Sequence, residues 1–145
     1  FCQTFLGNPI EITAQGVLNS EGIDEQVSAQ FRYASGARAY ILVSGRSGIP
    51  SIGQVSGTEA KMNVGPEFCI PSRIDFSSKE FYAEVSTWTD ESEIRGHQGL
   101  CYQATAMAHF IDEGLIESPF ESHAESISNL EVCEKIVQLI GAQIK

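Results

Sequence analysis

The chain lacks any Cys-x-x-Cys pair, and none of its 4 cysteines has a histidine beside it at zinc-ligand spacing: Cys2, Cys69, Cys101 and Cys133 stand alone. Unpatterned thiols fit buried cysteines in a reducing compartment rather than a secreted disulfide framework. No apolar run approaches the roughly 20 residues that a membrane span requires, and no signal-peptide pattern is visible. The expected location is therefore cytoplasmic, with no membrane partner. Basic residues are scarce, 9 against 19 acidic, for a net charge of −10. That balance repels nucleic acid, whose binding relies on clustered Lys and Arg, and serves instead as a solvated acidic surface. No Gly-x-Gly-x-x-Gly follows a strand pattern, and no Gly-x-x-x-x-Gly-Lys-Ser/Thr occurs. Gly45-Arg46-Ser47-Gly48 has the wrong spacing and context. These residues thus carry no recognisable cradle for a nucleotide phosphate.

What is present suits one α+β domain: 145 residues are enough to bury roughly 70 % of the surface that an unfolded chain exposes. Phe1 to Leu6, closed by Gly7 and followed by Pro9, reads as the last turn of a helix. Ile10, Ile12 and Ala14 then alternate with polar residues, as do Val27, Ala29, Phe31 and Tyr33. Ser35-Gly36 turns the chain into a third strand, Ala37 to Ser44, in which Ala39, Ile41 and Val43 form one face and Tyr40 and Leu42 keep the other partly apolar. Further strand patterns span Ser51 to Ser56, Lys61 to Val64, Phe68 to Phe76 and Glu80 to Trp88. Strands first and helices last predict an open, predominantly antiparallel sheet with two C-terminal helices packed on one face.

The helices carry the sharpest local signals. In Gly99 to Pro119, Leu100, Ala104, Met107, Ala108 and Ile111 form one helical stripe, Gly114 supplies a left-handed closing residue, and Leu115 is placed to fold back on Phe110. Ser122-His123-Ala124-Glu125 reads as a capping box that opens a second helix. Gly99, Tyr102, Ala104, Gly114, Glu117-Ser118-Pro119, Glu125-Ser126 and Gly141, in this order and separation, resemble the C-terminal end of the glucose-fructose oxidoreductase and inositol dehydrogenase (Gfo/Idh/MocA) family, within it the dihydrodiol dehydrogenase-like branch. Gly22-Ile23-Asp24-Glu25-Gln26-Val27, Ser56-Gly57-Thr58 and Phe68-Cys69-Ile70-Pro71 continue the likeness upstream.

The resemblance implies that residues 1–145 are the C-terminal substrate and oligomerisation domain of a larger NAD(P)-dependent oxidoreductase acting on a sugar, polyol or dihydrodiol-like substrate. The family's phosphate cradle and catalytic Lys belong to an N-terminal Rossmann domain that these residues do not include. Its acid–base pair would fall just before Phe1. The chain by itself is therefore expected to hold no catalytic, cofactor-binding or metal-binding residue and to be inactive, NAD(P) serving the full-length protein. The resemblance further implies a homodimer joined through the open sheet face, with the chain's own Rossmann domain as its other partner.

The expected substrate-binding residues are Phe68, His97, Gln98 and Tyr102. The family counterpart of the His97-Gln98 loop lies near substrate in some members, and the dihydrodiol branch carries an aromatic at the position of Phe68. Read from the residues alone, His97 is a solvated loop histidine, Phe68 packs in a core, and Tyr102 packs on a first helical turn with its hydroxyl tied to backbone. His109, Asp112 and Glu113 share a polar helix face that lacks a fourth metal ligand and reads as a solvated cluster. Asp24 and Glu25 point to opposite faces of a strand and cannot pair as acid and base. The rival function is a free-standing ligand-binding or dimerisation module without catalytic activity.

Overall fold

The alternation of Ile12 and Ala14 with Thr13 and Gln15 produces a strand in the computed structural model, which describes residues 1–94 and 96–143. The chain divides into two compact units, Phe1–Ile49 with Glu117–Lys145, and Pro50–Ile116. In the first, strands β1 (Glu11–Leu18), β2 (Asp24–Arg32) and β3 (Arg38–Ser44) form an antiparallel sheet in that order. Its register sets Ile12, Phe31 and Ala39 in one cross-strand row and Ala14, Ala29 and Ile41 in the next. Because side chains alternate across a strand, both rows share a face. Helices α1 (Cys2–Leu6) and α3 (His123–Ile140) supply the cover for that face, through Cys2 and Leu6 and through Val132 and Ile136. Phe31 and Tyr33 are the most deeply buried side chains.

Close packing of α3 on β1 explains a glycine. A Cβ at Gly16 would lie 3.0 Å from Ile140 Cβ and 3.2 Å from the Gln26 carbonyl oxygen. A side chain there would force the helix off the sheet. A polar clasp holds α1 to α3: Asn8 Oδ1 accepts from Gln3 Nε2 at 2.9 Å and from Ser128 Oγ at 2.8 Å. The Tyr33 hydroxyl, by contrast, has no partner among the described residues. Burial pushes its pKa above the ordinary phenol value, and the neighbouring Cys2 adds to the shift.

The residues that carry the family resemblance build the start of α3. Glu117 Oε2 accepts from the His123 N–H at 2.8 Å, and Ser118 Oγ accepts from the N–H of Phe120 at 3.1 Å. Ser122 and Glu125 form the predicted capping box, with Glu125 N–H donating to Ser122 Oγ at 3.2 Å and Ser122 N–H donating to Glu125 Oε2 at 2.7 Å. These bonds satisfy N–H groups that a helix end leaves without intrahelical partners. Ser122→Ala is expected to cost about 1 kcal/mol, read as a lower urea midpoint at neutral pH. The Ser122 backbone and hydroxyl donors hold the Glu125 carboxyl below its usual pKa. Its contribution is therefore present above the ordinary carboxylate pKa and is lost as pH falls through the lowered one. An unchanged midpoint at neutral pH would show that the box does not hold the helix.

In the second unit β4 (Gly53–Ser56), β5 (Ala60–Val64), β6 (Arg73–Ser78) and β7 (Val85–Thr89) form an antiparallel sheet, and α2 (Leu100–Asp112) follows a 3-10 turn at Gly96–Gly99. The α+β class, the open antiparallel pairing and the C-terminal helices agree with the sequence. The strands differ in that they form two sheets rather than one. After the Gly45 N–H bonds the Glu25 carbonyl at 2.8 Å, the chain passes Gly48 and Pro50 outside any strand, so the first ladder ends at β3 and a second begins at β4. The expected strand from Phe68 begins only at Arg73, since Pro71 offers no N–H, Glu67 adopts a left-handed φ of 62° and Ile70 N–H turns back to the Glu67 carbonyl. The strand expected from Glu80 begins at Val85, after a turn closed by the Ala83 N–H on the Glu80 carbonyl. No helix among the described residues is long and apolar enough to cross a membrane.

Candidate functional site

All four residues expected to meet substrate lie in the second unit. His97 and Gln98 occupy the 3-10 turn and are exposed, while Phe68 is half-buried in the irregular segment before β6. That segment is tied to the chain before β4 by the Phe68 N–H on the Ser51 carbonyl at 3.2 Å. It meets the start of α2 at Ile70: a Cβ on Gly99 would lie 3.4 Å from Ile70 Cγ2 and 3.9 Å from Tyr102 Cδ2. Ile70 and Tyr102 thus flank Gly99, one residue beyond Gln98.

Tyr102 does not tie its hydroxyl to backbone. It donates to Ser92 Oγ at 3.0 Å, and Ser92 Oγ donates to Asp90 Oδ2 at 2.8 Å. Asp90 also accepts from the Ser92 N–H at 3.0 Å, and its own N–H is held by the Ser72 carbonyl at 2.9 Å. A continuous chain of hydrogen bonds therefore runs from the entry of β6 through the loop after β7 to the first turn of α2. From sequence alone, Thr89 to Gln98 is an undifferentiated polar loop. The signal that could have marked it is Asp90-x-Ser92, the pattern of a carboxylate that bonds the backbone two residues on.

Beside this chain, Asp75 on β6 accepts from Thr87 Oγ1 at 2.7 Å and from Arg73 Nε at 2.9 Å. The Thr87 hydroxyl, then Arg73, hold its carboxyl below the usual range. Among the described residues no group of three or more His, Cys, Asp and Glu side chains is placed to hold a metal. The glycines at 45 and 48 follow β3 and lead to β4, whereas a Gly-rich pyrophosphate cradle leads to a helix N-terminus. An open depression of about 520 Å3 lies in the first unit, over Thr13, Gln15, Ser28, Gln30, Tyr40 and Leu42, and includes none of the four expected residues.

No family model matches the chain. It is 24 % identical over 133 residues to the trans-1,2-dihydrobenzene-1,2-diol dehydrogenase of Xenopus tropicalis, covering 92 % of this chain and 40 % of that protein. The enzyme of the same name from Mus musculus is 28 % identical over 149 residues, covering 97 % of this chain and 44 % of the relative. The chain is similar to dihydrodiol dehydrogenases along most of its length. It spans less than half of their length, and the part matched is C-terminal, as the resemblance implied. Two solved oxidoreductases share the fold. The aldose-aldose oxidoreductase of Caulobacter crescentus, complexed with glycerol, superposes with a TM-score of 0.67 at 15 % identity over 91 % of this chain and 39 % of that one. An oxidoreductase of Agrobacterium radiobacter, in complex with NAD+, L-tartaric acid and magnesium, does so with a TM-score of 0.72 at 12 % identity over 95 % and 43 %.

Proposed function

We propose that this chain is the C-terminal substrate and oligomerisation domain of an NAD(P)-dependent, cytoplasmic oxidoreductase that acts on a sugar, polyol or dihydrodiol-like substrate. The observation that carries this reading is the likeness to dihydrodiol dehydrogenases along 92 % of the chain, confined to 40 % of the relative's length. In this reading Phe68, His97, Gln98 and Tyr102 wall the substrate, apolar carbon facing the Phe68 ring and hydroxyls facing the polar side chains. Hydride transfer also requires a cofactor held against the reacting carbon and a proton-handling group at its oxygen. In this reading the cofactor cradle comes from the nucleotide-binding portion of the whole protein and the acid–base pair from the residues just before Phe1. The sheet face that carries Tyr40 and Leu42 pairs two copies, because a half-apolar open face is stabilised when it is covered.

The test has two arms. The protein that joins this chain to a nucleotide-binding portion should reduce NAD+ or NADP+ with dihydrodiols, polyols or aldoses, and the 145-residue chain alone should not bind NADH or NADPH in a calorimetric titration. Low-micromolar affinity of the isolated chain for either dinucleotide contradicts the division of labour. Absence of turnover across these substrates in the longer protein would leave the chain a ligand-binding or dimerisation module.

A further inference from the structure

The direction of each hydrogen bond along Asp90, Ser92 and Tyr102 is set at its charged end. A carboxylate only accepts, so the single Ser92 hydroxyl proton goes to Asp90 Oδ2, 2.8 Å away. With that proton committed, Ser92 Oγ serves Tyr102 as an acceptor, and the Tyr102 proton is committed in turn, across 3.0 Å. The lone pairs of Tyr102 Oη are what remains for a ligand. The residue is 52 % exposed, on the helical turn that follows His97 and Gln98. Bonds in series also polarise one another, which makes the terminal oxygen a better acceptor than an isolated phenol.

We propose that Tyr102 is an acceptor-only recognition point for an alcohol hydroxyl, with Ser92 and Asp90 as the positioning residues that hold its polarity. This deepens the substrate class proposed above and rests on the wall reading. A diol or polyol presents the O–H donor that the site requires, whereas an ether or a carbonyl oxygen at the same place meets lone pairs with lone pairs. The site thereby selects the reduced, hydroxyl-bearing form of a substrate over analogues that only accept.

NMR titration of the 145-residue chain with trans-cyclohexane-1,2-diol and with its dimethyl ether tests this. The diol should shift the Tyr102 ring signals and the His97 and Gln98 amides, with a dissociation constant about tenfold below that of the ether, the difference one hydrogen bond makes. Tyr102→Phe should bring the ratio close to one. Ser92→Ala should do the same by a different route, since Tyr102 recovers a proton that it can donate to the ether, and Ser92→Thr should restore discrimination. Equal affinity for the two probes in the unaltered chain, a ratio that survives Tyr102→Phe, or no shift with either probe overturns the inference. Turnover by the longer protein reports separately. Diol oxidation with discrimination unchanged in Tyr102→Phe removes this inference and keeps the oxidoreductase reading, whereas diol binding through Tyr102 without turnover does the reverse.

Discussion

Phe31→Ala should destabilise the first unit by about 3–5 kcal/mol, a large part of the net stability of roughly 5–15 kcal/mol that a domain possesses. Phe31 is 1 % exposed, between Ile12 and Ala39 in its cross-strand row and beneath the α1 and α3 side chains that cover that face. Removing its ring deletes the transfer free energy of a whole aromatic side chain and leaves a cavity that the sheet backbone, fixed by ladders on both sides of β2, cannot collapse to fill. Gln30→Ala, one residue away on the opposite face, is the control, and should stay within about 0.5 kcal/mol of the unaltered chain. Urea denaturation of the two variants decides the matter. A midpoint for Phe31→Ala no lower than that for Gln30→Ala would mean that the core lies elsewhere.

Adjacent residues of β3 should respond to the same substitution in opposite ways. Ile41 packs against the core cluster, so Ile41→Lys places an ammonium among Ala14, Ala29 and the helix side chains and should unfold the unit, at a cost of several kcal/mol. Leu42 is 63 % exposed on the open face beside Tyr40, which is 74 % exposed. Leu42→Lys should leave the fold intact and dissociate the proposed dimer, because a two-fold interface receives each substitution twice and would set like charges against one another. Circular dichroism separates the two variants by folding, and sedimentation equilibrium by mass. A chain that stays monomeric at every concentration refutes the pairing, and an unfolded Leu42→Lys would reverse the assignment of faces.

Those two faces are legible in the amino-acid sequence, and the reason is range. Strand alternation is a property of neighbouring residues, so Ile41 and Leu42 sort to opposite sides whatever either of them meets. The same holds for the ends of the helices: the Ser122–Glu125 box spans one turn, and Gly114 closes its helix with a φ of 72° while the Leu115 N–H returns to the Phe110 carbonyl at 2.8 Å. The substrate-wall residues come from a likeness, and the likeness lies largely in such local devices. Glu117, Ser118 and Glu125 are recognisable because a helix has to begin there, which says nothing of chemistry.

What the sequence by itself determined, then, is the α+β class, the division of each strand of the first sheet into two faces, the helix ends and the acidic surface. Each follows from backbone geometry or charge within a few residues. Only the tertiary structure decided that the strands divide into two sheets after Ser44, that Phe68 to Ser72 turns instead of pairing, and that Tyr102 reaches back ten positions to Ser92. Pairing partners and side-chain hydrogen bonds across loops depend on which distant backbone groups remain unsatisfied once the whole unit has folded, and no local period encodes that competition.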